Sequence, residues 1–309
     1  MKTSPQVAHS VCTSVAELVR LQYMARGLPL AGSATVDNPM VGHFRSNVRG
    51  RGMDFEELRQ YRQGDDIRQM DWKVSNRTRK PHVRVYAEER ERPVYLVVDQ
   101  RLSMFFGSRR VMKSVCAAEM AALVSWTALS SNDRIGSVIF NDDNMVELAP
   151  RAGRQQLMQV FHQLEDFNQR LRNAEKGCSS QLNRALKQLA EKAGHDALIY
   201  VISDLEGADE STGQWLSRLA QHNSVVLSFI YDPMEQTLPL GGELAVSDGQ
   251  YQVDVDTDDL TLRQQYSQQF EQRLGRAREF LLARAVPVLP ICTEQPVALQ
   301  LRQMMMAAG

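Results

Sequence analysis

Cysteine is scarce and unpaired in this sequence. Its four cysteines, Cys12, Cys116, Cys178 and Cys292, stand far apart in 309 residues and form no C-x-x-C pair. That spacing argues against a zinc site or a disulfide framework and fits a reducing compartment. Long apolar runs are lacking as well. The longest nearly apolar stretch, Val115 to Leu129, carries Glu119 and falls short of the about 20 residues needed to cross a bilayer, so no membrane insertion is expected. The first residues place polar side chains where a signal peptide needs a continuous apolar core, and Glu17 and Arg20 follow; the expectation is no export signal and a cytoplasmic location. Neither sign of charge dominates: 36 Lys and Arg oppose 37 Asp and Glu, a formal net charge of -1. Without a basic excess there is no global attraction to a polyanion, so a nucleic-acid reading has to rest on a local cluster.

Familiar catalytic signatures are also missing. The chain has no GxxxxGK[ST] phosphate loop, no GxGxxG after its first core strand, no GxSxG elbow and no HExxH helix. Its six histidines, among them His43, His82, His162, His195 and His222, show no ligand spacing.

What is present is enough apolar material, 43% of residues, for a sizeable core. Residues 11 to 26 place Val11, Val15, Leu18, Val19 and Tyr23 at helical spacing before a Gly27-Leu28-Pro29 stop. From His43 to Arg92 the texture is polar, with thirteen Lys and Arg against nine Asp and Glu and glycines at 50, 52 and 64, which predicts a small module of short strands. At Pro93 it changes: Val94-Tyr95-Leu96-Val97-Val98 is a dense run ending on Asp99, as in a strand buried on both faces.

Helices and strands then alternate: a helix to Ser130, strand 134–140, a short return strand 145–148, helices 154–167 and 181–193, strand 197–203, helix 212–221 and strand 225–231. A hairpin inserted near 243–255, a helix from about 260 to 284, strand 286–292 and a final helix from 294 to about 306 complete it. This order predicts an α/β fold with a doubly wound, mostly parallel sheet over 93–309, preceded by an N-terminal helix and a β-containing polar module over 1–92.

In such sheets ligands bind beyond the carboxyl ends of the strands, near the point where strand order reverses. The residues to inspect there are Asp99-Gln100-Arg101-Leu102-Ser103, Ser203-Asp204-Leu205-Glu206, and Ser179 and Ser180 before a later helix. With the element order, they resemble the von Willebrand factor A domain, whose metal-ion-dependent adhesion site uses an Asp-x-Ser-x-Ser loop, a distant Thr and a distant Asp. By that resemblance Asp99, Ser103, Ser180 and Asp204 are the metal-site positions, and Arg101 stands where the first Ser belongs. A guanidinium is always charged and cannot ligate a cation. Turned inward, Arg101 would pair with Asp99 or Asp204 and take over the cation's electrostatic role; turned outward, it would leave an incomplete site with weak Mg²⁺ affinity. The inward arrangement is the expectation. The bland reading is that strand-end aspartates cap backbone N–H groups in tight loops.

The segment before the core carries a second pattern, from Gly50-Arg51-Gly52 through Arg59-x-Tyr61-x-x-Gly64-Asp65-Asp66 to Asp71-Trp72, with Tyr86-Ala87-Glu88-Glu89-Arg90-Glu91 and Asp232-Pro233 farther on. On these residues the chain resembles a bacterial family catalogued as domain of unknown function number fifty-eight. The resemblance implies a gene neighbourhood containing a MoxR-type AAA+ ATPase, with this protein as its partner or adaptor. By chemistry alone, Gly64-Asp65-Asp66 is a turn, and no histidine or hydroxyl nucleophile accompanies its carboxylates. Trp72 reads as a core anchor or, beside so many arginines, as a contact residue. Arg77, Arg79 and Lys80 form the sharpest basic cluster, which with Arg45, Arg49 and Arg51 would line a phosphate-binding face if folded together, although interspersed acids favour a solvated or protein-binding surface. Met304-Met305-Met306 reads as packing in preference to an adaptable contact. The expected function is therefore a non-catalytic interaction module with no cofactor beyond weak Mg²⁺, its contacts drawn from Arg101, Trp72, Arg77, Arg79 and Lys80. Two other readings are a hydrolase holding a metal through Asp99 and Asp204, and a nucleic-acid binder using the 45–84 segment.

Overall fold

β-branched runs flanked by amphipathic helices dictate the architecture seen in a computed structural model of the chain, which describes residues 11–28, 54–61, 70–87, 91–174, 176–239, 241–247, 252–282 and 286–306. In chain order the elements are helices α1 (Val15–Arg20) and α2 (Gln22–Ala25), strand β1 (Asp54–Gln60), helix α3 (Trp72–Thr78), and strands β2 (His82–Ala87) and β3 (Pro93–Asp99). Then come α4 (Lys113–Ser130), β4 (Arg134–Phe140), β5 (Met145–Arg151), α5 (Arg154–Arg170), α6 (Gln181–Lys192), β6 (Leu198–Ser203), α7 (Glu210–Ala220) and β7 (Ser224–Tyr231). The chain continues through α8 (Pro233–Gln236), β8 (Glu243–Ser247), β9 (Gln252–Asp256), α9 (Leu260–Leu282), β10 (Val288–Cys292) and α10 (Val297–Met306).

Six strands form one sheet in the order β10-β7-β6-β3-β4-β5, parallel except for the antiparallel edge strand β5. This is the expected α/β doubly wound arrangement. The chain leaves β3 to build β4 on one side and returns to build β6 on the other, so strand order reverses between β3 and β6 and leaves a crevice beyond their carboxyl ends. Alternate residues of β3 feed two cores: Val94, Leu96 and Val98 pack with α4, α5 and α10, whereas Tyr95 and Val97 face α6 and α7. The expected hairpin is present as β8 paired with β9, antiparallel and outside the main sheet, while its anticipated turn at Ser247-Asp248-Gly249 runs beyond the described residues.

The chain divides otherwise than expected at its N-terminus. One compact unit comprises 1–46 with 93–309, and the second only 47–92. Leu18 and Ala25 explain the difference: they are buried in the same core as α4, and the Trp126 indole Nε1 donates to the Leu18 carbonyl at 3.0 Å. The amphipathic pattern announces an apolar face without naming what covers it. A Ser14–Glu17 capping box starts α1, in which Ser14 and Glu17 side chains exchange bonds with each other's backbone N–H. In the second unit β1 and β2 pair antiparallel, and Asp71 caps α3 by accepting from the Lys73 and Val74 N–H groups.

Candidate functional site

The dense run of β3 ends on Asp99, and β6, its immediate neighbour, ends one residue before Asp204, so parallel pairing alone delivers two carboxylates to the crevice. Both are buried. Such carboxylates demand compensating donors, because an unpaired buried charge costs several kcal/mol.

Arg101 supplies them to Asp99. Its side chain turns inward and is only 2% exposed, among the bulkiest of the fully buried side chains in the described residues. Nε donates to both Asp99 oxygens at 3.0 and 3.1 Å, and Nη2 to Oδ2 at 2.7 Å. The Arg101 backbone N–H and the Ser203 hydroxyl add further bonds at 3.0 and 2.7 Å. The remaining nitrogen, Nη1, reaches the carbonyls of Glu206 at 3.1 Å and Ser179 at 3.4 Å, so one side chain ties three loops together. Its guanidinium also lies over the Phe140 ring, 5.8 Å from the centroid.

Asp204 has a different partner. Lys113, in the first turn of α4, is buried and donates from Nζ to Asp204 Oδ2 and to Glu235 Oε1, each at 2.8 Å. The Glu206 N–H closes on the other Asp204 oxygen at 2.9 Å, and Arg101 Nη2 lies 3.8 Å from it. Two fixed cations thus face two fully buried carboxylates.

The electrostatics follow. Burial lifts the Asp99 carboxyl above the usual range despite the charge and bonds of Arg101. Burial works against the Arg101 guanidinium too, but Asp99, Asp204 and Asp142 outweigh it and hold the group charged. At Asp204 burial would raise the carboxyl, yet Lys113, the Glu206 N–H and Arg101 bring it below its ordinary value. Lys113, disfavoured by burial, is raised by Asp204 and Glu235.

Around this centre Asp142 accepts the Leu102 N–H at 2.6 Å and the Cys178 N–H at 2.5 Å, linking the loops after β3 and before α6. Gln100 donates to the Ser114 carbonyl and accepts from Asn168, which in turn takes the Thr13 N–H and so connects the crevice floor to the N-terminal helices. Leu205 sits at φ +57° and Gly207 at +69°; a Cβ on Gly207 would stand 2.4 Å from that of Ser179, so this turn needs glycine to let the loops close.

The residues assigned from sequence divide sharply. Asp99, Arg101 and Asp204 converge. Ser103 lies in the 3₁₀ turn Leu102–Met104, its hydroxyl buried without a hydrogen-bond partner among the described residues. Ser180 does not join them: it is exposed at the N-cap of α6, 3.3 Å from the Cys178 sulfur, and its neighbour Ser179 reaches the centre through a carbonyl. Trp72, Arg77, Arg79 and Lys80 are exposed on α3 and the turn after it, in the separate 47–92 unit. Arg45, Arg49, Arg51, Asp65 and Asp66 lie outside the described residues. Lys113 was missed; the signal for it is the single cation of a mostly apolar helix, at its first position, which asks for a buried anion.

Each oxygen of Asp99 and Asp204 already accepts a hydrogen bond from the chain, and two cations balance them. A divalent ion needs open oxygen positions at short range, so this donor set does not fit one.

The same carboxylates set an acid limit. Asp232, fully buried, accepts from Ser108 through both its N–H and its hydroxyl, and from the Thr293 hydroxyl and the Met234 N–H; burial would raise its carboxyl, but these bonds hold it below its ordinary value. Stability from Asp204 and Asp232 is complete above the unfolded carboxyl value of about 3.9 and drains as pH falls through their lower folded values; raised Asp99 returns part of it. Lys113 works at the other end, its contribution present below about 10.4 and lost as pH rises through its higher folded value. Denaturant titration is expected to show no loss of midpoint as pH is lowered from neutrality to about 4, where protonation of the raised Asp99 adds stability, and a fall only below about pH 4. A midpoint that declines steadily from neutrality would contradict the assignment.

A family model described as "Protein of unknown function DUF58" matches residues 57–275. Uncharacterized protein Rv1480 of Mycobacterium tuberculosis (strain ATCC 25618 / H37Rv) and uncharacterized protein Mb1516 of Mycobacterium bovis are each 29% identical to this chain over 234 residues, covering 75% of it and 71% of their own length. Among solved structures, the conserved hypothetical protein BatB from Bacteroides thetaiotaomicron is similar at 12% identity with a TM-score of 0.39, covering 69% of this chain and 98% of its own. An aerotolerance-related membrane protein from Bacteroides fragilis is similar at 13% identity with a TM-score of 0.42, covering 70% and 98%. No helix among the described residues is long and apolar enough to cross a membrane. Since the family match spans well over half the chain and begins within the segment whose Arg-x-Tyr and Gly-Asp-Asp pattern suggested it, the chain belongs to the DUF58 family.

Proposed function

We propose that this protein is a non-catalytic interaction module whose crevice is a metal-ion-dependent adhesion site with its exchangeable ion replaced by Arg101 and Lys113. The observation that carries the reading is the closed charge balance around Asp99 and Asp204. A hydrolase would need those carboxylates free to hold an ion or activate water, and here each is committed to a fixed cation. The surface offered to partners is then the rim of the crevice and, on the smaller unit, Trp72 with Arg77, Arg79 and Lys80. Family resemblance supplies the class of partner, a MoxR-type AAA+ ATPase encoded nearby.

The test is co-purification of the full chain with that ATPase in nucleotide-free, ADP-bound and ATP-analogue-bound states. Association in at least one state, weakened by Trp72→Ala, is the expected result, and no association in any state would reject the partnership. Calorimetric titration with Mg²⁺ tests the chemistry separately. The native chain is expected to give no saturable heat; saturable binding would return the crevice to the metal-dependent class. Nucleic-acid binding through Arg77, Arg79 and Lys80 would instead show affinity falling steeply with salt.

A further inference from the structure

Large apolar side chains left exposed are the informative exceptions on a surface. Of those this chain exposes, Tyr23 (71%), Met24 (48%), Leu299 (47%) and Met306 (82%) sit on α2 and α10. These helices belong to the same unit and meet: the Arg302 guanidinium Nη2 donates to the Met24 carbonyl at 3.1 Å. Leu299, Arg302 and Met306 follow the i, i+3, i+7 spacing of one helix face, so the two apolar residues flank the arginine that touches Met24. Behind them Ala25, Val297 and Ala298 are buried, and Met304 and Met305 pack partly into the core, as the sequence reading of that methionine run anticipated. Met306 does not follow it.

A pocket of about 200 Å³ lies beside this ridge, between α1 and the start of α4. Its apolar wall is Leu18, Leu21, Val111 and Val115, and Leu21 is one turn before Met24, whose N–H it accepts at 3.0 Å. Among the described residues around ridge and pocket, the basic side chains Arg20, Arg26, Arg110 and Arg302 outnumber the acidic Glu17 and Glu119. Arg20, Arg26 and Arg302 are exposed, with Arg26 lying over the Tyr23 ring at 5.7 Å. The acids lining the pocket are engaged within the chain: Glu17 in the α1 capping box, and Glu119 in a two-bond pair with Arg110 at 2.8 and 2.9 Å.

We infer that the α2–α10 ridge and its adjoining pocket dock an amphipathic helix of a partner protein whose apolar face is flanked by Asp and Glu. One large apolar side chain of that helix fills the pocket as an anchor, the methionines adapt to its neighbours, and the three arginines meet its carboxylates. The inference rests on the interaction reading only for the class of ligand, a protein; its ridge is supplied by α2 and α10, which contribute no side chain to the crevice.

The experiment uses the full chain and a fluorescein-labelled synthetic helix of about five turns, with Leu along one face and Glu on both flanks. A second peptide carries Lys in place of every Glu. Fluorescence polarisation is expected to show saturable binding of the Glu peptide that weakens with salt, and no binding of the Lys peptide. Combining Met24→Glu with Leu299→Glu should weaken binding by about tenfold or more, whereas Leu260→Glu at the exposed start of α9 leaves it unchanged. Matching near-ultraviolet circular dichroism shows that each variant is folded. Equal binding of both peptides, failure of the Glu peptide to bind, or full affinity in the double variant overturns the proposal. So does sedimentation of the chain with phosphatidylserine vesicles that the Glu peptide does not displace, since that assigns the face to lipid. Because the peptide contains no ATPase sequence, its outcome is separable from the co-purification.

Discussion

Lys113→Met is expected to cost the α/β unit about 3–5 kcal/mol, the usual penalty for deleting one member of a buried ion pair. Methionine replaces the lysine stem almost atom for atom, so the loss is electrostatic. Asp204 keeps only the Glu206 N–H at 2.9 Å and Arg101 at 3.8 Å, and Glu235 loses its ammonium partner. Against a total stability on the order of 5–15 kcal/mol, the urea midpoint should drop by a large fraction. Adding Asp204→Leu removes the stranded charge and should recover much of the loss, because a buried pair replaced by apolar groups of similar volume is often neutral. A single variant within about 0.5 kcal/mol of the native chain would mean that the Lys113 contact carries no weight.

Arg101→Ser should change behaviour as well as stability. Without divalent ions it is expected to lose about 3–5 kcal/mol, because Asp99 surrenders its guanidinium and the Glu206 and Ser179 carbonyls lose a shared donor. The serine hydroxyl and the freed Asp99 oxygens then offer a hard cation oxygen ligands in place of the guanidinium. Mg²⁺ at a hundred times its dissociation constant would restore about 2.7 kcal/mol, read as a rise in thermal midpoint confined to the variant. Lys113 still neutralises Asp204 in that variant, so Arg101→Ser with Lys113→Met should respond at lower Mg²⁺ than the single change. A native chain stabilised by Mg²⁺, or variants that ignore it, would refute the idea that protein cations stand where an ion would.

Much of this was legible in the order of residues. The run Val94–Val98 announced a strand buried on both faces, and alternation with amphipathic helices specified the sheet. Asp99 and Asp204 could be placed in one crevice because strand ends must gather where strand order reverses. Arg101 could be seen as foreign to a metal loop because its chemistry forbids ligation. Other features depended on distances that no periodicity encodes. Lys113 looks like the polar start of a helix until the fold sets Asp204 2.8 Å from it. Ser179 and Ser180 differ by one position, and only loop geometry selects the carbonyl of the first over the hydroxyl of the second. The N-terminal helix showed its apolar face in sequence, but the residues that receive it, Trp126 and Asn168, lie more than a hundred positions away.

The inward Arg101 has a consequence for control. An ion held by coordination comes and goes with its concentration outside the protein, so a site built on one reports on the medium. A charge carried on a covalent stem cannot be chelated, diluted or exchanged, and its stoichiometry is one per chain under every condition in which the chain is folded. On the proposed reading, a crevice held in this way does not respond to magnesium. Whatever alters it must act by moving the loops that this one side chain fastens, those after Asp99, before α6 and after Asp204, and a partner that pulls on any of them pulls on all three.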